Sequence, residues 1–470
     1  MGEERKKIWA PNVYSLLFLL VVAAAVLTWI IPAGSFERVT EGNVTEVVPG
    51  TFQLIESSPQ TPWDIIQAIV SGFKNQISLI LMILFVGAAV NMLAATKAIN
   101  SIFTRLAKAV KGKEEIAILC VMAFMSLGGA TGVFGNVTLV LIPIGIFLSQ
   151  AMGFDKTLGF FMIFFGSFSG FNIGWANAGV LGIAQSIAEL PIFSGLEMRL
   201  LFHAINFALS YGFVILYLKQ IKKDPMKSLN YKPGMDPASI MGDADAAAEM
   251  ESVVVTKRQI ASMAAMFGGL LVVVFGALNY KWGADKITSV FMVVSILIGL
   301  ISYGDLNDAL SSFIKGCSTV VMAAFIVGFA NGITVVMQNG QILDTLVYYL
   351  SIPINQFGPV VGAVLMYIAD VIISLFISSG SGQAAAVMPI MIPIADLTGI
   401  TRQVAVQAFQ FGDGFTNCIV PTVGTLMGGL GFAGVAYGRY LKKAMPLIIV
   451  QIILALGAII ILQSIGWTGL

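Results

Sequence analysis

Apolar runs close to the length of a membrane crossing recur from one end of the chain to the other, parted by short polar stretches. A helix needs about 20 apolar residues to cross the hydrocarbon core of a bilayer. Runs at 13–32, 77–95, 197–218, 258–279, 286–303, 317–337 and 445–466 are therefore predicted to span. Residues 63–76 carry apolar positions on one helical face only and are predicted to lie along the membrane surface, and 305–316 is a second short amphipathic piece. Four longer apolar regions, about 116–151, 157–190, 357–399 and 403–434, are interrupted by Gly, Ser, Asn and Pro, so none reads as a plain span. Residues 33–62 are polar and rich in turn formers, and 219–257 form the one long hydrophilic insert. The chain divides into 1–218, a linker at 219–257, and 258–470, whose repeat is preceded by one extra span.

Composition agrees with the pattern. Of the 470 residues, 57% are hydrophobic and 11% charged, and the mean hydropathy is +0.89. A soluble domain carries about 25% charged residues, which excludes a soluble enzyme, a nucleic-acid binder and a secreted disulfide scaffold. The net charge of +1 points to no polyanionic partner. Cys120, Cys317 and Cys418 lie far apart in apolar stretches and read as reduced packing residues. The one histidine, His203, reads as a satisfied buried side chain, with Asn206 one turn away. No phosphate-binding GxxxxGK[ST], HExxH, paired CxxC or GxSxG string is present, so neither an ATP-driven pump nor an enzyme is expected. The run 13–32 is longer than a signal-peptide core and ends in IIPAGSFER without a small-residue cleavage site, so it is expected to be retained. Most of the 26 Lys and Arg fall on one side when the N-terminus is cytoplasmic and 116–151 and 357–399 are hairpins returning to the side they entered.

The two halves resemble each other. DIIQAIVSG (64–72) matches DALSSFIKG (308–316), and LFVGAAVN (84–91) matches FIVGFANG (325–332). GGATG (128–132) lies against SSGSG (378–382), and FNIGWANAG (171–179) against TNCIVPTVG (416–424). The matches run in one order at a nearly constant offset. The extra span makes the two copies face opposite ways, the plan of inverted-repeat secondary transporters. The expected fold is thus an all-α polytopic membrane protein of two inverted repeats, each with a re-entrant hairpin and a broken helix.

Broken backbone survives in lipid only where protein or a water-filled cavity surrounds it. GGATGVFG (128–135) has four glycines in eight residues and follows the charged Lys111–Glu115 segment too closely for a full crossing. It is predicted to be a hairpin tip, with SSGSGQ (378–383) its counterpart, and 166–179 and 411–424 are predicted to be broken helices. Half-helix N-termini suit an anionic substrate group, and unwound carbonyls with hydroxyl and amide oxygens suit Na⁺. The candidate substrate contacts are Thr131, Asn136, Asn172, Asn177, Ser378, Ser379, Ser381, Asp413, Asn417 and Thr422, with Na⁺ as coupling ion near Gly129, Asn172, Gly380 and Asn417. Any one small residue here could equally serve close helix packing. Asp413, in QFGDGFTN, could bind a substrate ammonium, ligate Na⁺, carry a coupling proton, or hold backbone N–H groups. Asp370 is similar but lies away from the breaks, and Asp396 reads as a helix-end residue.

The string from Ser378 to Pro446, with FGDGFTN at its centre, resembles the C4-dicarboxylate anaerobic carrier family (YfcC/DcuC-like) of the ion transporter superfamily, as do IPAGSFER (31–38) and GGATGVFGN. The resemblance implies a bacterial inner-membrane homodimer with a scaffold and a transport domain that moves like an elevator. It implies ion-coupled transport or exchange of small carboxylate-bearing metabolites, either amino acids such as arginine and ornithine or C4-dicarboxylates. Neither hairpin tip nor break carries Arg or Lys, and Asp413 favours an amino acid. A channel would share the hairpins, but duplicated hairpins with two broken helices favour a closed site.

Overall fold

The computed structural model describes residues 13–41, 44–48, 50–96, 112–132, 134–242, 256–280, 282–377 and 379–469. Ser378 and the basic cluster from Lys97 to Lys111 lie outside these residues. Helices dominate. α1 (Val13–Ile30), α2 (Pro62–Asn75) and α3 (Ile77–Ala95) are followed by α4 (Glu114–Ala130), α5 (Gly135–Ala151), α6 (Lys156–Phe171), α7 (Leu181–Ile187) and α8 (Leu196–Lys223). The second half has α9 (Lys257–Tyr280), α10 (Ala284–Tyr303), α11 (Leu306–Ser318), α12 (Val321–Asn339) and α13 (Leu343–Ser351). α14 (Pro359–Ser374), α15 (Gly380–Thr398), α16 (Arg402–Thr416), α17 (Gly424–Ala433) and α18 (Tyr437–Ser464) complete it. Among the described residues, four helices (α3, α8, α10 and α18) are long and apolar enough to cross a membrane.

The helix starts follow from short polar side chains. Thr61 caps α2 by accepting from Asp64 N while Asp64 accepts from Thr61 N, and Pro62 occupies the first turn, where its missing N–H costs nothing. The Thr61 bonds hold the Asp64 carboxyl below its usual range. Asp305 caps α11, Asp155 caps α6 and Thr401 caps α16 in the same manner.

The amphipathic helices pack reciprocally. Gly72 of α2 sits against the backbone of Gly328 and Gly332 in α12, and Gly316 of α11 against the backbone of Ala88 in α3. Each helix thus lies on the span of the other half, with glycine permitting the close approach.

Two features were not foreseen. Residues 33–62 fold into two small antiparallel pairs, β1 (Gly34–Ser35) with β4 (Gln53–Leu54) and β2 (Arg38–Glu41) with β3 (Val44–Val47). The hydrophilic insert begins later than predicted, because α8 runs on to Lys223. Its first part then docks on neighbouring helix ends. Tyr217 and Ser228 donate to the buried Asp155 carboxylate, Asn230 binds Thr157 and the Ala433 carbonyl, and Gly242 N donates to Phe154 O.

Candidate functional site

Four interruptions in the helices come together. The first hairpin, α4–α5, has a leading arm 17 residues long, Glu114–Ala130. In the second, α14–α15, Ser379 accepts from Gly382 N and so caps α15. α6 stops at Phe171 and α7 starts at Leu181, while α16 stops at Thr416 and α17 starts at Gly424. The predicted breaks therefore lie where Asn172 and Asn417 terminate their helices.

Each break frees carbonyls that lipid cannot satisfy, and each is supplied with donors. Asn206 Nδ2 donates to Ser169 O at 2.8 Å and Gln410 Nε2 to Phe171 O at 2.9 Å. Tyr440 donates to Cys418 O at 2.6 Å and Tyr437 to Ile419 O at 2.5 Å. The first break also needs Gly174, whose φ of +59° is left-handed and which presses on Gln410. Tyr440→Phe is expected to leave the buried Cys418 carbonyl without a donor, at a cost of about 1–3 kcal/mol. Denaturation of the purified protein in detergent checks this.

The breaks also touch one another. A Cβ on Gly414 would lie 2.5 Å from Asn172 Cα, and Asn172 Nδ2 points to Cys418 Sγ at 3.7 Å. Between them opens a cavity of about 180 Å³, lined by Gly135, Thr138, Ser167, Gly380, Asn417 and Thr425 together with Phe168, Phe171 and Val423. Both hairpins and both broken helices contribute. Asp413 borders this cluster, fully buried: Oδ1 accepts from Asn417 Nδ2 at 3.2 Å, and Oδ2 has no partner among the described residues. A Cβ on Gly380 would sit 2.8 Å from that free oxygen, so the first turn of α15 abuts the carboxylate.

The predicted contacts therefore divide. Asn417 and Gly380 line the cavity, while Asp413 and Asn172 border it. Thr131 bonds the Leu127 and Gly128 carbonyls of its own helix, and Asn177 accepts from Gly179 N and packs on Gly132, so both brace backbone instead. Ser379 faces a second, larger cavity, with Ser381 bonded to its hydroxyl. Thr422 is buried, its hydroxyl has no partner among the described residues, and it does not line the cavity. Asn136 lies in the first turn of α5, and Ser378 is outside the described residues. Gly129 lies on the face of α4 that is pressed against Ser167 O of α6.

The sequence reading missed Thr138 and Ser167, whose hydroxyls share a hydrogen bond at 2.7 Å, and Thr425. Thr138 lies three residues past Gly135 on α5, a spacing that places both on one face. It also missed Gln403, Gln407 and Gln410, buried along α16 in a row that continues to Asp413 and to Asn417 at the helix end. Arg199 anchors the far end of that row. It lies in the first turn of α8, fully buried, with Nε donating to Gln407 at 2.8 Å and Nη2 to Gln403 at 3.2 Å. Six residues of helix, about 9 Å of rise, separate Gln407 from Asp413. His203 is satisfied as expected. Trp175 Nε1 donates to Nδ1 at 2.8 Å, which leaves Nε2–H to donate to Ser126 at 2.6 Å.

Comparison with known proteins places the chain. Over 98% of its length and 97% of the relative's, it is 26% identical to an Escherichia coli (strain K12) protein named "Putative basic amino acid antiporter YfcC". It is 24% identical, over 99% of both chains, to an uncharacterized protein of Haemophilus influenzae. The solved structure of the Alcanivorax borkumensis YdaH transporter overlaps 98% of the chain and 100% of its own, at 14% identity and a TM-score of 0.40, a likeness too slight to bear on the fold. The model of the C4-dicarboxylate anaerobic carrier family, DcuC, matches residues 10–464. Nearly the whole chain, hairpins and broken helices included, is thus covered by that match, and this multi-pass membrane protein belongs to the C4-dicarboxylate anaerobic carrier family.

Proposed function

We propose that the protein is an ion-coupled secondary transporter or exchanger of amino acids such as arginine and ornithine. One observation carries the reading. The cavity shared by the hairpins and breaks has a buried, half-unpartnered carboxylate at its border and no Lys or Arg among its lining residues. A doubly negative substrate would meet like charge there, whereas a substrate ammonium would find a partner. The name of the Escherichia coli relative points the same way. Na⁺ enters this reading as a co-substrate, with the oxygens of Asn417 and Asp413 suited to a hard cation. The family's description favours the alternative, a C4-dicarboxylate substrate.

The transport body in this reading holds the two hairpins and two broken helices, and it moves as an elevator against a scaffold of α1, α3, α9, α10 and α12. The reciprocal seating of Gly72 and Gly316 supports an inverted duplication across that scaffold. Exposed Leu271, Phe275 and Val293 on α9 and α10 supply an apolar face for a homodimer or for lipid. The charge count supports a cytoplasmic N-terminus, and the family resemblance supports a bacterial inner-membrane location.

Thermal melting of the purified protein with L-arginine, L-ornithine or succinate, each in Na⁺ and in K⁺, tests substrate and ion together. A ligand at 100 times its Kd stabilises by about 2.7 kcal/mol. A shift with arginine or ornithine is expected, and a shift with succinate alone would install the dicarboxylate reading. Counterflow in proteoliposomes separates carrier from channel, since only a carrier is stimulated by unlabelled substrate on the opposite side.

A further inference from the structure

The IPAGSFER motif at 31–38 has no part in the central cavity, yet its fold is closely specified. Gly34 pairs with Leu54 across β1–β4, and its N–H donates to Gln341 O at 3.0 Å. A Cβ at this glycine would lie 2.5 Å from both the Phe52 ring and Thr345 Oγ1, so no larger residue fits. Phe52 stacks on Tyr348 of α13 with ring centroids 4.0 Å apart, and Phe36 leans on both rings. These contacts deliver Arg38 to Asp344. The two bonds from Arg38 Nη2 to the carboxylate are 2.7 and 2.8 Å long, and Phe36 N donates to the same group at 3.1 Å.

That ion pair lies on the wall of a cavity of about 600 Å³, which Asn331, Gln338, Ser379 and Gly382 also line. The size suits a small metabolite. Two groups here are unused. Arg38 Nε–H has no partner among the described residues, and Asn331 Oδ1 is buried with no donor. Arg38 is 44% exposed while Asp344 is 12% exposed, and a half-exposed pair of this kind rearranges at little cost. The second hairpin tip separates this cavity from the central one: Ser379 and Gly382 face outward, Gly380 faces inward, and Thr334 holds the tip through Phe376 O at 3.0 Å.

We propose that the larger cavity is a capture site for the zwitterionic head of an α-amino acid, with Arg38 receiving the carboxylate and Asp344 and Asn331 Oδ1 the ammonium. The inference rests on the transport reading above and deepens it. A free donor edge, a free buried acceptor and a pair of opposite charges match a ligand carrying one of each sign. A second carboxylate on the ligand would face Asp344 and an acceptor with nothing to donate. Substrate held there waits at the outer face of the hairpin tip that closes the central site.

Uptake of L-arginine into proteoliposomes by the full chain tests this, with Arg38→Gln, Asn331→Ala and the charge exchange R38D/D344R alongside the wild type. The expected result is a KM raised about tenfold for Arg38→Gln and several-fold for Asn331→Ala, at unchanged melting temperature. The exchanged pair should not recover the wild-type KM, because the carboxylate-binding edge has moved. Should Arg38→Gln fold poorly, Asn331→Ala decides, since it leaves the ion pair untouched. Wild-type KM in Arg38→Gln and Asn331→Ala, or full recovery in the exchanged pair, would make Arg38–Asp344 a structural strut and overturn the proposal alone. A wild type with neither uptake nor a melting shift for arginine, ornithine or succinate would overturn the transport reading and this inference with it.

Discussion

Asp413→Asn is expected to lower substrate affinity about 100-fold, the loss of a charge-assisted bond to a buried group, while expression and assembly persist. The substitution keeps the size and the bond partner at Asn417 but removes the charge from the oxygen that no described residue engages. Its environment magnifies the effect. Asp413 is fully buried, and the first turn of α15 abuts its free oxygen. The guanidinium of Arg199, reaching the α16 row from α8, is committed to Gln403 and Gln407. Equilibrium binding and uptake separate the roles open to the carboxylate. Loss of affinity for arginine at fixed Na⁺ identifies a substrate contact, and a rise in the Na⁺ requirement identifies an ion contact. Net uptake lost with exchange retained identifies a coupling proton. Wild-type binding, uptake and exchange together would reduce Asp413 to a structural partner of the Asn417 side chain.

Gly170→Val is expected to destabilise the fold by about 3 kcal/mol or more, the largest structural effect of a single change at the site. A Cβ at Gly170 would lie 1.9 Å from Ser126 O and 2.7 Å from Ala130 N, and one at Gly129 would lie 1.9 Å from Ser167 O. Each glycine thus meets the backbone of the facing helix, which cannot swing aside as a side chain can. Forcing α4 and α6 apart also pulls the first hairpin tip from the first break, where Ala176 N donates to Ala130 O at 3.2 Å. Denaturation should show a lower midpoint for Gly170→Val, and binding should weaken in the folded fraction. Gly457→Ala is the control. It has no atom within 4 Å of its added carbon, so wild-type or slightly raised stability is expected. Equal stability of Gly170→Val and wild type would refute the close crossing of α4 and α6.

The local elements were legible because their causes are local. A run of apolar residues long enough to cross a bilayer dictates a helix wherever it stands, and α1, α3, α8, α9, α10, α12 and α18 coincide with the predicted spans. The surface helices α2 and α11 announced themselves through one-sided apolar spacing, and the breaks through Gly and Asn inside apolar stretches. Residues 33–62 were opaque for the opposite reason. Strands of two to four residues owe their existence to partners across a turn and to Phe36, Phe52 and Tyr348 meeting from distant segments.

The sequence alone determined that this chain is a membrane protein, which family it resembles, where its helices run, and where they break. It also narrowed the polar groups of interest to two short segments in each half. Only the tertiary structure decided which of those groups face a cavity. Thr131 and Asn177 sit at a tip and a break like Asn417, yet both are spent on nearby backbone, while Thr138 and Ser167, inside plain helix, open onto the site. The same packing buried Arg199, at the start of α8, against Gln403 and Gln407 and carried Arg38 to Asp344, 306 residues away in sequence. The physical reason is that a side chain's type follows from its codon, whereas its partner depends on the rotation and crossing of helices, set by close contacts such as Gly129, Gly170 and Gly414 that no single segment contains.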